Sequence, residues 1–207
     1  MTITSDGAIK FSCKHEPSAP LPETWWKELD GCRARLFSLR LIGETPTGIG
    51  YGNISCRSEE SGFIITGSAT GGTERLDGQH YAYVTSWEIA QNTLNCRGAC
   101  KASSESLTHA AIYDACPEVA AVIHVHHHTL WDSLRGKAQT TDPDAEYGTV
   151  AMAESVRLIA AGKVNGIIIM AGHEEGILAF GTGLAEAMDL LLSALESLGQ
   201  KDINNPG

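Results

Sequence analysis

The amino-acid sequence predicts an α/β fold in three layers, with helices on both sides of one mostly antiparallel sheet. Three observations predict it. Segments of helical and of strand periodicity are interleaved, several strands follow one another without an intervening helix, and amphipathic helices open and close the pattern.

Each element has its own signal. Residues 22–41 carry Trp25, Trp26, Leu29, Cys32, Leu36, Phe37 and Leu39 at near-helical spacing and give the first helix. Proline-rich sequence precedes it, so residues 1–22 are read as an N-terminal mobile segment. Gly43, Pro46, Gly48, Gly50 and Gly52 then separate helix from sheet, and short strands follow at 53–57 and 62–66, with two more at 81–85 and 88–94. The Ser104 hydroxyl, able to accept from orphan backbone N–H groups, caps a helix that runs through His109 and Tyr113 to Pro117, where the ladder must stop. Residues 120–128 alternate as a strand, with Val122, His124, His126 and His128 on one face and Ile123, Val125 and His127 on the other. A second amphipathic helix at 149–161, a buried strand at 166–170, a short strand at 177–180 and a terminal helix at 184–198 complete the order. No repeat or linker divides the chain. One domain at 23–200 and a tail at 201–207 are expected.

Composition excludes several classes of function. The 207 residues are 43% hydrophobic and 19% charged, which allows a single domain burying roughly 70% of its unfolded surface without staples. With 15 Lys+Arg against 25 Asp+Glu, the formal charge of −10 repels nucleic acid and anionic membrane surfaces. No apolar run approaches the ~20 residues of a membrane span, and the first residues lack a secretory pattern, so a cytoplasmic location is expected. Cys13, Cys32, Cys56, Cys96, Cys100 and Cys116 are irregularly spaced and read as reduced thiols, the Cys96/Cys100 pair included.

Imidazoles at i and i+2 of a strand project from one face, so His124 and His126 can reach one ion, and His173, directly after an apolar strand, is placed to deliver a third nitrogen. The alternative for such a strand is a merely polar face. Glu105 lies in Ala102-Ser103-Ser104-Glu105 at a helix start, where hydroxyls and free N–H groups suit an anion; beside a metal its carboxylate would serve as a proton acceptor. Taken alone, it would be an acid opposing the helix dipole. His109, four residues on, either orients that carboxylate or is an imidazole satisfied in the core, and His128 is read as exposed rather than as a fourth ligand. Gly48-Ile49-Gly50-Tyr51-Gly52 opens no helix and is not a dinucleotide loop. Trp25 and Trp26 read as core or subunit-contact anchors.

Five ordered motifs, Gly52-Asn53-Ile54-Ser55, Ile65-Thr66-Gly67-Ser68, Ser103-Ser104-Glu105, Ala121-Val122-Ile123-His124-Val125-His126 and Gly172-His173, together resemble the class II aldolase/adducin family over residues 25–198. The resemblance implies a three-layer α/β/α domain, a homotetramer with sites at subunit interfaces, and a divalent metal, most often Zn2+. It implies that His124, His126 and His173 are the metal ligands and Glu105 the acid/base. Asn53, Thr66, Ser68, Ser103 and Ser104 become the pocket for a substrate phosphate. The implied activity is cleavage of a small ketose, with a ketose phosphate as the expected substrate, through an enediolate. Sugar-phosphate dehydration, epimerisation and a non-catalytic adducin-like scaffold are the alternatives; Glu at position 105 disfavours the epimerases, which carry Asp there. This chain departs from the aldolase pattern at Ala69, where they carry Gly, and at Glu174 and Glu175, which put carboxylates near the cleft. Tyr147 is the nearest substitute for the aldolases' interface proton donor.

Overall fold

In a computed structural model, residues 9–204 are described, with side chains through residue 198. The ends of the expected terminal segments, residues 1–8 and 205–207, lie outside the described residues.

The chain begins with strand β1 (Ser12–Pro17) and helix α1 (Glu23–Ser38), then a small ribbon of β2 (Gly43–Glu44) and β3 (Gly50–Tyr51). Four strands follow in succession: β4 (Asn53–Arg57), β5 (Phe63–Thr66), β6 (Tyr81–Glu88) and β7 (Thr93–Gly98). Then come α2 (Ser106–Ala115), β8 (Ala121–His126), α3 (His128–Leu134), β9 (Gln139–Thr140), α4 (Val150–Ala160), β10 (Gly166–Ile169), β11 (Gly176–Gly181) and α5 (Leu184–Asn204). Nine strands form one sheet in the order β1-β7-β6-β5-β4-β8-β11-β10-β9. It is antiparallel except for β1 on β7 and β9 on β10.

The three layers follow from alternation along the strands. Phe63, Ile65, Val122, Leu178 and Phe180 face α2 and α4, whose Leu107, Ala111, Met152 and Val156 cover them. Ile54, Ile64, Ile123, Val125 and Ile177 point the other way, against Leu29 and Leu36 of α1, Leu130 of α3 and Leu191 of α5. Each fully buried Leu or Ile contributes about 1.5–3 kcal/mol, so the two apolar faces hold the sheet between its helices. Trp25 packs edge-on against Tyr83, and Trp26 stacks on Tyr81. All six cysteines carry free thiols.

Several expectations are corrected. Ser12–Pro17, placed in the mobile segment, is an edge strand in parallel register with β7. The terminal helix runs to Asn204, past the expected start of the tail at 201. The strand expected at 88–94 straddles a turn: β6 continues to Glu88, the chain turns through Ile89 to Asn92, and Asn92 takes φ 52, which its short polar side chain tolerates. Ser104 is not a helix cap. Helix α2 begins at Ser106, and the Glu105 N–H donates to Ser103 Oγ at 3.3 Å. Strand β8 ends at His126 rather than His128, because His127 accepts from the Leu130 N–H at 3.1 Å through Nδ1 and caps α3. His128 therefore sits on a helix, exposed and 3.5 Å from Glu175, instead of sharing the face of His124 and His126.

Candidate metal centre

Strand β8 lies between β4 and β11, and its register sets Asn53 opposite His124. His124 and His126 leave β8 on the α2 side, as period-2 alternation requires. His173 comes from the turn joining β10 to β11. That turn packs tightly because Gly172 has no side chain: a Cβ there would lie 2.0 Å from the Ala145 carbonyl oxygen. Glu105 enters from the start of α2.

These four groups converge. Ligating nitrogens of His124, His126 and His173 all lie within 4.8 Å of one another. The Nε2 atoms of His126 and His173 are 3.0 Å apart, and Glu105 Oε1 is 3.1 Å from His173 Nε2 and 3.4 Å from His124 Nε2. His124 is wholly buried, and Glu105 is 4% exposed.

The protonation pattern suits a cation. Because a carbonyl only accepts, His124 Nδ1, 3.2 Å from the Ile177 oxygen, carries the ring proton and leaves the Nε2 lone pair facing inward. Among the described residues, that Nε2 and Glu105 Oε2 have no hydrogen-bond partner although buried, a costly arrangement that a positive ion beside them would relieve. Burial, followed by the neighbouring rings of His124 and His173, holds His126 well below the ordinary imidazole value, so it is neutral and able to donate a lone pair. For Glu105, burial pushes the carboxyl upward. The adjoining imidazoles of His124 and His173 outweigh this and hold it well below the usual carboxylate value. Three nitrogens with a carboxylate alongside make a donor set suited to zinc or a similar divalent ion.

Two spaces meet at this cluster. A cleft of about 860 Å³ is lined by Lys10, Arg40, Glu44, Tyr51, Tyr147 and Glu174 among others, and a smaller cavity of about 40 Å³ lies beside it; Tyr51, His126 and His173 border both. The smaller cavity is walled by Asn53, Ser68, Ser103, Ser104 and Glu105, so four of the five residues expected to hold phosphate meet there. Thr66 does not line it: its Oγ1 accepts from the Ile54 N–H at 3.2 Å within the sheet. Ala69 lines the cavity with φ 60, and Glu175 takes φ 66, left-handed conformations in which a side chain costs about 1–2 kcal/mol. Tyr147 borders the cleft, its ring centred 4.8 Å from that of His173 with Lys10 Nζ 3.8 Å from its centroid.

Sequence reasoning missed two contributors and, of a third, weighed only His109. Lys10 and Tyr51 frame the cleft, but Lys10 fell in the segment assigned to mobility and Tyr51 among glycines. The third is a buried hydrogen-bonded chain behind His124, in which Ser55 Oγ lies 2.7 Å from His109 Nδ1 and 2.8 Å from the Tyr113 hydroxyl. Burial, with the neighbouring His124 ring next, pushes His109 down to about 3 and keeps it neutral. Arg33 of α1 lies farther out, with its guanidinium donating to the carbonyls of Thr70, Gly71 and Glu74 and so fixing the loop that walls the small cavity.

A family model described as Class II Aldolase and Adducin N-terminal domain matches residues 39–199. No curated protein matches the chain. Among solved structures, a sugar-phosphate aldolase from Thermotoga maritima is similar at a TM-score of 0.68 and 18% identity, covering 89% of this chain and 98% of that one. An L-fuculose-1-phosphate aldolase from Thermus thermophilus gives a TM-score of 0.65 at 20% identity, covering 90% and 98%. An aldolase II superfamily protein from Pseudomonas syringae gives 0.60 at 17%, covering 89% and 77%. At these identities the likeness is one of fold. No described helix is long and apolar enough to cross a membrane.

Proposed function

Because this chain belongs to the class II aldolase and adducin family, we propose that it is a metal-dependent carbon–carbon lyase that cleaves a small ketose, with a ketose phosphate as the first candidate substrate. One observation carries the reading: three imidazole nitrogens within 4.8 Å of one another, with Glu105 Oε1 at 3.1 and 3.4 Å from two of them.

His124, His126 and His173 would hold a divalent ion, Zn2+ by preference, which supplies Lewis-acid polarisation of the two oxygens of an α-hydroxyketone. Glu105, held in its charged form, takes and returns the proton at the reacting centre through Oε2, the carboxylate oxygen without a hydrogen-bond partner among the described residues. Tyr147, beside His173 on the cleft wall, would give a proton to the departing fragment. Asn53, Ser68, Ser103 and Ser104 supply polar groups and the start of α2 to the substrate's oxyanion end. Assembly as a homotetramer, with the cleft shared between subunits, belongs to the same reading.

Metal analysis paired with a screen of short ketoses and ketose phosphates for aldehyde release tests it. About one ion per chain with aldehyde formed supports a lyase. Metal with loss of water and no aldehyde moves the protein to the dehydratases. Absence of both leaves an adducin-like scaffold.

A further inference from the structure

The edge of the sheet farthest from β9 holds a pair of thiols that the chemistry above does not use. Cys13 of β1 and Cys96 of β7 place their sulfurs 3.5 Å apart, essentially in contact, on strands that run parallel. In the register Cys13 faces Leu94 and His15 faces Cys96, so the two thiols approach along a diagonal on the same side of the sheet. Cys13 is partly exposed, while Cys96 is buried.

We propose that Cys13 and Cys96 are a redox site, forming a reversible disulfide under a hydroperoxide and thereby fastening edge strand β1 to β7. The two thiols share a hydrogen bond that raises Cys13 and pushes Cys96 down to about 6, with the Ala102 amide and the charges of His15 and Lys101 also favouring a thiolate on Cys96. Burial instead pushes nearby Cys100 up to about 11, leaving it a thiol.

The chemistry balances with one peroxide. The Cys96 thiolate attacks a peroxide oxygen, the O–O bond breaks, and the departing hydroxide gains a proton and leaves as water, giving a sulfenic acid. Sulfur of Cys13 then attacks that sulfenic sulfur. The S–S bond forms as the S–O bond breaks, and the hydroxyl leaves as a second water with the Cys13 proton. Two sulfurs are oxidised and one peroxide is reduced; a dithiol reverses the step by exchange. Fastening β1 also restrains Lys10, three residues before Cys13, whose ammonium lies against the Tyr147 ring on the cleft wall and 3.2 Å from Glu146.

Tryptic cleavage isolates each thiol: residues 11–14 contain only Cys13, residues 76–97 only Cys96, and residues 98–101 only Cys100. After treatment of the full chain with hydrogen peroxide and blocking of free thiols, segments 11–14 and 76–97 should appear joined, two hydrogens lighter than their sum, and separate on dithiothreitol. Cys100→Ser should keep the joined pair. Cys13→Ser should lose it and leave a dimedone-trappable sulfenic acid on Cys96. The oxidised protein should melt at least about 5 °C higher, reversibly. Joining of 11–14 to 98–101, both thiols remaining free at peroxide levels that oxidise other cysteines, or linkage without a rise in the midpoint would each overturn the proposal. None of these results bears on the metal-dependent reading, which keeps its own test.

Discussion

His124 and Ile177 are joined across the centre of the sheet: the imidazole Nδ1 donates to the Ile177 carbonyl at 3.2 Å, and the ring's second nitrogen is thereby turned toward Glu105. A backbone oxygen on β11 thus fixes both the tautomer and the aim of a side chain on β8, before any ligand arrives.

Replacing His124 by Ala should abolish stoichiometric metal, weakening the site by more than about 100-fold, since one of three clustered nitrogens is removed. Metal content of the purified variant checks this. Retention of about one ion per chain would remove His124 from the ligand set.

Glu105→Gln keeps the shape and removes the carboxylate charge proposed to act as the base. The variant should bind metal yet exchange a substrate's α-proton at least about 10²-fold more slowly, the range that a positioned general base contributes. Undiminished exchange, followed by deuterium incorporation, would assign the proton to another group.

His109 makes stability depend on pH. Its folded value of about 3 lies below the ordinary 6.5, so between those limits the unfolded chain binds more protons and stability falls as the pH falls. Its contribution is complete above about 6.5 and declines below it, at up to ~1.4 kcal/mol per pH unit. His124 and Glu105 face the same ring and Tyr113 reaches it through Ser55, so the comparison is differential. Denaturant midpoints of His109→Gln should decline less steeply than those of the parent between pH 6.5 and 4; identical slopes would remove the imidazole as the cause.

Gly52 has φ 74, and a Cβ there would sit 2.7 Å from Ile42 Cγ1 and 3.1 Å from the His124 carbonyl oxygen. Gly52→Ala should therefore cost about 2–4 kcal/mol in chemical denaturation, from left-handed strain plus overpacking.

Much of this architecture could be read from residue order. The alternation of Val122, His124 and His126 fixed the face of β8, and Thr149 was a sound helix start because its hydroxyl accepts from Met152. Position 173 was legible because an apolar strand ends just before it. Edge strand β1 was not: Ser-Cys-Lys-His-Glu-Pro has no apolar alternation and gains its order from pairing with β7, supported by Cys13 against Cys96 and His15 against the Gly98 carbonyl. Helix α3 escaped for a different reason. Its cap is an imidazole, outside the hydroxyl and carboxamide residues that signal a helix start, and three successive histidines prolonged the strand pattern. The site's second wall depends on contacts distant in sequence, such as Lys10 with Glu146, which no local pattern encodes.

Arg33 carries its charge into the interior and satisfies it on three main-chain oxygens, with no carboxylate partner among its hydrogen bonds to the described residues. A planar five-donor group used in this way makes an outlying helix a tuning lever for a chamber it never enters. Substitutions along α1 that tilt the guanidinium would be felt as altered room around Ser68 and Ala69. Selectivity at such a site would then drift through residues that no ligand touches.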